Sequence, residues 1–276
     1  MPKGAITVVP GGGLCNRMAM LDSALALGRV LERPVHVLWK LGRSLNCRLD
    51  ELFEPLPGVA SVTYVHDNRP LGKLSLRVRQ KLADWRGVDT WRRQELYSIR
   101  QDATALLERA RRSDELRIRG DTRFFAKGRL YADFRPVPVL ATRILAASEG
   151  LEAAVGVHVR RTDHAEAIRL SPLSAFVEAL REERRREPGV KIFVSTDDPE
   201  VLRTLREELG EALRHNPPEA FDRSDPRAIE NAVVDLWCLA SCRFLLGSHG
   251  STFTEAAWQL KGIPHRIVRA GPSGSP

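Results

Sequence analysis

Three features of the sequence predict a two-domain α/β chain built on parallel sheets. Segments with the two-residue period of strands alternate with segments at helical spacing in both halves, which implies helices covering a parallel sheet on both faces. The chain opens with a βαβ unit around Gly11-Gly12-Gly13. The two prolines of Phe134-Arg135-Pro136-Val137-Pro138 interrupt both helix and ladder, marking a crossing between domains 1–135 and 136–276. With 276 residues, 43% of them hydrophobic, two domains of ordinary size fit.

In the first half, Ile6–Val9 reads as a strand broken by Pro10 and the glycine run. Met18–Leu31 follows with Leu21, Leu25, Leu27 and Val30 at helical spacing, and Val35–Trp39 is the second strand. Val59–Val65 is a strand after the turn at Pro55–Gly58, Leu74–Leu82 and Ala103–Arg112 read as helices, and Leu116–Phe125 as a closing strand. Trp85, Trp91 and Tyr97 lie among arginines between those helices. They either face an acceptor or pin an irregular region to the core.

The second half repeats the alternation. Helical segments at Val139–Ala147, Leu173–Arg186, Glu200–Leu209, Ala228–Leu239 and Ser251–Leu260 intersperse strands at Val155–Arg160, Lys191–Ser195 and Arg243–Gly247. The charge run Arg181–Glu187 reads as the solvated face of a helix, and the tail Gly271–Pro276 as disordered.

Composition narrows the function classes. The chain has no apolar run of 18 residues, and the short segment Ala5–Pro10 after Met1-Pro-Lys-Gly is neither a signal peptide nor an anchor, so a cytoplasmic protein without an integral membrane segment is expected. Four cysteines do not make a disulfide framework, and Cys238 and Cys242, one helical turn apart, lack the partner pairs of a zinc site. All four are expected to be reduced. The net charge of +8 suits an anionic ligand, or reflects arginine-rich composition with no nucleic acid involved.

The stretch Val155–Asp163 carries the strongest chemical signal. Val155, Val157 and Val159 take one phase of a strand, while Gly156, His158 and Arg160 take the other. Polar groups on a central strand belong at its carboxyl end, where open α/β sheets place ligands, and the paired guanidiniums of Arg160 and Arg161 suit a phosphorylated one. In Ser195-Thr-Asp-Asp-Pro199, Asp198 reads as a helix N-cap with Pro199 at the first helical position. Asp197 is then the spare carboxylate, lining the cleft or not.

In Gly247-Ser-His-Gly-Ser-Thr-Phe-Thr-Glu255, Thr252 and Glu255 have capping-box spacing, which explains them without function. The preceding loop is shaped for an anion, since Gly247 and Gly250 allow close backbone approach and a helix N-terminus supplies donors. Asp235 interrupts an apolar helix and is either exposed or partnered; guanine N1–H and N2–H2 would be suitable donors. The first-half loop, Gly12 and Gly13 leading to Asn16 and Arg17, reads as a phosphate cradle or as a tight turn. A dehydrogenase or P-loop enzyme is disfavoured, because Asn16 stands where the dinucleotide fingerprint requires glycine and no Walker lysine follows. No Asp-x-Asp pair of the kind that holds a metal against sugar-nucleotide phosphates is present, so no divalent ion and no cofactor is expected.

Four of these pieces resemble one superfamily, the GDP-fucose-dependent fucosyltransferases, which comprise α-1,6 and rhizobial nodulation enzymes, α-1,2 enzymes and protein O-fucosyltransferases. They are Gly12-Gly-Leu-Cys-Asn-Arg17, His158-Val-Arg-Arg-Thr-Asp163, Ser195-Thr-Asp-Asp-Pro199, and Asp235 through Ser251-Thr-Phe253. The resemblance implies a GT-B architecture, two Rossmann-like domains facing across a cleft, with inverting, metal-independent transfer and the donor nucleotide mainly on the second domain. Carried over by position, Arg160 resembles the arginine on the donor diphosphate, His158 and Asp235 the guanine and ribose contacts, and Ser251 the phosphate-loop serine.

A departing GDP gains negative charge, which arginine donors and a helix N-terminus stabilise. A carboxylate must also take the acceptor's proton. Glu166 resembles the base of the α-1,6 group, with spacing shorter by about two residues, and Asp163 competes with it; Cys15 stands where the family commonly has glycine. The expected donor is therefore GDP-fucose or another GDP-sugar, with Gly12, Gly13, Asn16, Arg17, His158, Arg160, Arg161, Asp197, Asp235, Gly250, Ser251, Thr252 and Phe253 on its side. The expected acceptor is a hydroxyl of a glycan or small glycosylated metabolite. The alternatives are transfer from another nucleotide sugar on the same fold and a non-catalytic anion- or nucleic-acid-binding module.

Overall fold

The computed structural model describes residues 4–161, 165–217, 220, 222 and 224–270. The expectation for the tail 271–276 lies outside those residues. Two compact units emerge, Met1–Val137 with Asp222–Ile229, and Pro138–Phe221 with Glu230–Pro276.

The first unit runs β1 (Ile6–Pro10), α1 (Leu14–Leu31), β2 (Val35–Leu41), α2 (Leu49–Leu52), β3 (Val59–His66), α3 (Pro70–Trp85), β4 (Asp89–Trp91), α4 (Arg93–Ile99), α5 (Ala103–Arg112) and β5 (Leu116–Gly120). Its sheet has the order β3-β2-β1-β5-β4, with every pairing parallel. The second unit runs α6 (Pro138–Ala147), β6 (Val155–Val159), α7 (Ala165–Leu170), α8 (Leu173–Arg186), β7 (Ile192–Thr196), α9 (Pro199–Leu209), β8 (Leu213–Arg214), α10 (Pro226–Ser241, whose first turn up to Ile229 belongs to the first unit), β9 (Phe244–Gly247), α11 (Thr252–Lys261) and β10 (His265–Ile267). Its sheet, β10-β9-β6-β7-β8, is also parallel throughout. Counted from β6, that is the 3-2-1-4-5 order of a Rossmann half. The α/β class and the two parallel, Rossmann-like sheets agree with the sequence reading.

The central strands are buried on both faces. In the second unit Val155, Val157 and Val159 pack with Ile192, Val194, Phe176, Leu180 and Leu205 in one apolar cluster, so β6 is fixed as the middle of the sheet. Of the charge run on α8, Arg181, Arg185, Arg186 and Glu187 are exposed while Glu182, Glu183 and Arg184 are partly covered, and Arg181 pairs with Glu178 at 3.0 Å and with Glu208 at 2.8 Å. All four cysteines are buried and free, and burial pushes the Cys238 and Cys242 thiols up to about 12, leaving them inert.

Several boundaries differ from the sequence reading. Helix α1 begins at Leu14 rather than Met18, because Gly13 takes the extended N-cap conformation and the next residue is already helical. Strand β5 stops at Gly120, not Phe125. Beyond it the chain is held by α1 instead of a ladder, with the Phe124 amide donating to Ser23 Oγ at 3.2 Å and the Tyr131 amide to Asp22 Oδ1 at 3.0 Å. The segment left irregular in the sequence reading contains β4 and α4, and it separates its aromatics. Trp91 is fully buried under Arg109, its indole N–H donating to Asp89 at 3.0 Å, whereas Trp85 is 82% exposed.

That contrast predicts a stability difference. Trp91→Ala is expected to cost about 3–5 kcal/mol in urea unfolding, while Trp85→Ala stays within about 0.5 kcal/mol of wild type.

Candidate functional site

Open parallel sheets bind ligands outside the carboxyl ends of their strands, at the point where strand order reverses. In the second unit that point lies between β6 and β9. The loops leaving the two strands are joined there by one hydroxyl. Ser248 Oγ, fully buried, accepts from the Arg160 amide at 2.9 Å and donates to the His158 carbonyl at 3.2 Å.

On the other side of β6, Asp197 at the end of β7 accepts from the Arg161 amide at 2.8 Å, and its second oxygen lies 3.4 Å from Arg160 Nη1. Asp197 is thus engaged by both arginines, through the backbone of Arg161 and the side chain of Arg160. Asp198 caps α9, accepting from the Glu200 amide at 2.9 Å, with Pro199 at the first helical position as the sequence indicated. Burial lowers the Arg161 pKa, an effect that Asp198 and Asp197 oppose, and its Nη2 is buried without a hydrogen-bond partner among the described residues. A desolvated guanidinium with an unpaired donor favours an anion.

His158 is 4% exposed, its Nδ1 lies 2.8 Å from Thr254 Oγ1, and its ring stacks on Phe253 at 4.7 Å. It therefore anchors the first turn of α11 to the sheet. The cap of that helix is Ser251, whose hydroxyl accepts from the Thr254 amide at 3.4 Å, so Thr252 is the first helical residue and not the cap of a box with Glu255. Gly247 is required by the protein itself, because a Cβ there would lie 2.0 Å from Thr254 Cγ2. Gly250, in the turn before Ser251, takes the left-handed conformation.

Asp235 is partnered. It accepts from Ser195 Oγ at 2.7 Å and from Asn216 Nδ2 at 3.1 Å. Burial pushes its carboxyl up to about 6, against the opposing effects of those bonds and of Arg143. Glu166 is exposed in the first turn of α7. Asp163 lies outside the described residues.

In the first unit the corresponding reversal lies between β1 and β5. The Gly11 amide donates to Gly120 O at 2.7 Å, and Asn16 Nδ2 donates to Asp121 O at 2.6 Å, drawing the glycine loop onto the end of β5. Gly12 takes φ 73°, the left-handed region that a glycine adopts without strain. Gly13 serves as the N-cap of α1. Arg17 is fully buried, donating through Nε to Gly12 O at 2.9 Å, through Nη1 to Lys40 O at 2.6 Å and through Nη2 to Ser44 Oγ at 3.2 Å, with its carbon 4.9 Å from the Trp39 ring centre. Burial pushes its pKa down to about 10, partly offset by Asp67. Arg17 therefore organises the loop from beneath.

The sequence reading passed over Ser248, Asn216 and Lys40. Ser248 and Lys40 sit at or just past a strand end, which is the signal that could have found them; Asn216 has no local pattern.

Among the described residues no group of three or more His, Cys, Asp or Glu side chains is placed to hold a metal ion, and no helix is long and apolar enough to cross a membrane. No protein-family model and no curated protein matches the chain. Solved structures do. NodZ α-1,6-fucosyltransferase soaked with GDP-fucose is 18% identical with a TM-score of 0.62, covering 94% of this chain and 93% of that one. Fucosyltransferase NodZ from Bradyrhizobium aligns at 18% identity and TM-score 0.61, covering 92% of each chain. POFUT1 in complex with GDP aligns at 13% identity and TM-score 0.55, over 98% of this chain and 97% of that one. The chain thus has the fold of these fucosyltransferases along nearly its whole length.

The Asp235 site has a testable pH signature. Between the ordinary carboxyl value of 3.8 and about 6, the folded chain binds this proton more tightly than the unfolded chain, so the contribution of Asp235 to stability falls as pH rises through that window. Asp235→Asn removes the titration. The wild-type minus variant difference in unfolding free energy is expected to be more favourable to wild type at about pH 4 than at about pH 7; a difference independent of pH contradicts the assignment.

Proposed function

We propose that this chain is an inverting, metal-independent glycosyltransferase that moves fucose from GDP-fucose to a hydroxyl of a glycan or glycosylated metabolite. The observation that carries the reading is the convergence of Arg160, Arg161 and the N-terminus of α11 at the strand-order reversal of the second unit. The fold shared with proteins solved with GDP and GDP-fucose supports the choice of donor.

In this reading the second domain binds the nucleotide sugar and the first, bounded near Arg135, faces the acceptor. The donor diphosphate lies against Arg160 and Arg161 and takes the positive end of α11 through the Gly250–Ser251 turn, beside Thr252 and Phe253. Asp235 meets the guanine or ribose with lone pairs left by Ser195 and Asn216, since each carboxylate oxygen accepts more than one bond. His158 holds Phe253 and the start of α11 in place, while Gly12, Gly13 and Asn16 are the contribution of the first domain, shaped by Arg17 from below. The acceptor oxygen attacks the anomeric carbon as the bond to the β-phosphate breaks. Its proton passes to Glu166, with Asp163 the rival, and GDP leaves with its new charge stabilised by the arginines. Four buried free thiols suit a reducing compartment, and we place the enzyme in the cytoplasm.

Calorimetry with GDP, ADP and UDP, without added metal, tests the donor site. GDP is expected to bind most tightly, and Arg160→Ala to weaken it about 10- to 100-fold through loss of a charge-assisted bond. Equal affinity for the three would remove the guanine assignment, and anion binding without turnover of any sugar nucleotide would favour a non-catalytic module.

The base is tested separately. Glu166→Gln is expected to keep GDP affinity and lose turnover by roughly 10²–10⁴-fold. Full turnover in that variant beside an inactive Asp163→Asn that still binds GDP transfers the role to Asp163.

A further inference from the structure

Helix α3 presents an apolar stripe to solvent. Leu71, Leu74, Val78, Leu82 and Trp85 are 50–82% exposed, and they are most of the large exposed hydrophobic side chains of the first unit. At about 100° per residue they fall within a sector of roughly 80°. The opposite side of the helix packs inward, with Leu76 against the cluster of Val9, Leu38 and Val65, and with Ala83 buried. The stripe is therefore a second apolar face, unrelated to the fold's own core. A contiguous row of five such residues on one helix exceeds the scattered apolar exposure normal for a monomer.

The charges around the stripe identify what covers it. Between Arg69 and Arg86 the chain carries Arg69, Lys73, Arg77, Arg79, Lys81 and Arg86 against the single acid Asp84. Lys73, Arg77 and Lys81 recur every four residues and are exposed along one border of the stripe. Asp84, which accepts from Gln80 Nε2 at 2.7 Å, keeps its charge and Arg86 is paired with Glu115, yet six cations against these two acids leave the surroundings of the apolar row net positive. A second copy of the chain would bring two such basic borders together, and paired helices use borders of opposite sign instead. Nucleic acid would match the charge and leave five large apolar side chains in water. A lipid surface that is anionic and apolar just beneath matches both features.

We propose that α3 seats this protein on an anionic lipid bilayer. The helix lies in the plane of the interface, with Leu71, Leu74, Val78, Leu82 and Trp85 entering the boundary between headgroups and acyl chains, and Lys73, Arg77 and Lys81 meeting lipid phosphates. Trp85, at the end of the stripe, has the amphipathic ring that favours headgroup depth. This is peripheral attachment through a helix already folded on the first unit. It does not rest on the proposed transfer reaction.

The test is sedimentation of the full chain with vesicles of phosphatidylcholine containing phosphatidylglycerol, and with phosphatidylcholine alone. Wild type is expected to bind the anionic vesicles, with affinity falling as salt rises. Changing Lys73→Gln, Arg77→Gln and Lys81→Gln together is expected to lower partitioning about 100-fold. Leu74→Ser with Val78→Ser is expected to lower it at least about 10-fold. All five positions are exposed, so circular dichroism and urea unfolding should match wild type in both variants.

Absence of vesicle binding overturns the proposal, as does binding unchanged in either variant, since charge or apolar contact alone would then suffice. A dimer seen by light scattering that the Leu74→Ser, Val78→Ser variant dissolves, without vesicle binding, assigns the face to a second copy. Because the readout is membrane binding without donor or acceptor, its failure leaves the transferase reading untouched, and failure of that reading leaves this one untouched.

Discussion

One buried hydroxyl holds the candidate site together. Ser248 Oγ bonds both the amide of Arg160 and the carbonyl of His158, so the residues flanking the end of β6 are tied to the loop leaving β9. A hydroxyl can do this because it donates and accepts at once, and buried backbone groups at a strand end need a partner. Asp197 performs the matching task from β7, on the amide of Arg161. With both neighbours of the central strand holding its terminal residues, the guanidiniums leave a rigid platform. Electrostatic stabilisation of a leaving group depends on such preorganisation, because donors that must first reorient lose much of what they offer.

The two units treat their strand-order reversals differently. In the first, the arginine after the glycine loop turns inward and its donors go to the carbonyls of Gly12 and Lys40 and to Ser44. In the second, Arg161 retains a buried nitrogen with no partner among the described residues. A guanidinium saturated by protein carbonyls fixes loop shape, whereas an unsaturated and desolvated one retains affinity for an anion. The two units thus differ in where they direct their arginine donors.

Much of this was legible in the sequence. The alternation Val155, Val157, Val159 against Gly156, His158, Arg160 marked a central strand with polar groups at its end, and Asp198-Pro199 marked the start of α9 correctly, because both signals are local and periodic. What escaped was set by tertiary contact. Strands of two or three residues such as β8, β4 and β10 are too short to show a period, and they are strands only because a long neighbour offers its edge. The capping residue of α11 was displaced by one, since Thr252 has the spacing of a cap and Ser251 has the extended backbone of one. Spacing alone does not distinguish them.

Asp235 is the acid that the second unit holds from two sides. An acid inside an apolar helix predicts a partner, and the structure supplies two, Ser195 from β7 and Asn216 from the segment after β8. Even so, its carboxyl is pushed up to about 6, so the two bonds do not fully replace the water that burial removes. Native sites that retain such a residual cost have a ready means of recovering it, since a ligand that donates to the carboxylate completes its solvation and the fold then gains what burial had withheld. At a carboxylate of this kind a group that donates relieves the charge, whereas one that presents an acceptor leaves it under-solvated and repelled, and discrimination of that kind requires no motion of the protein.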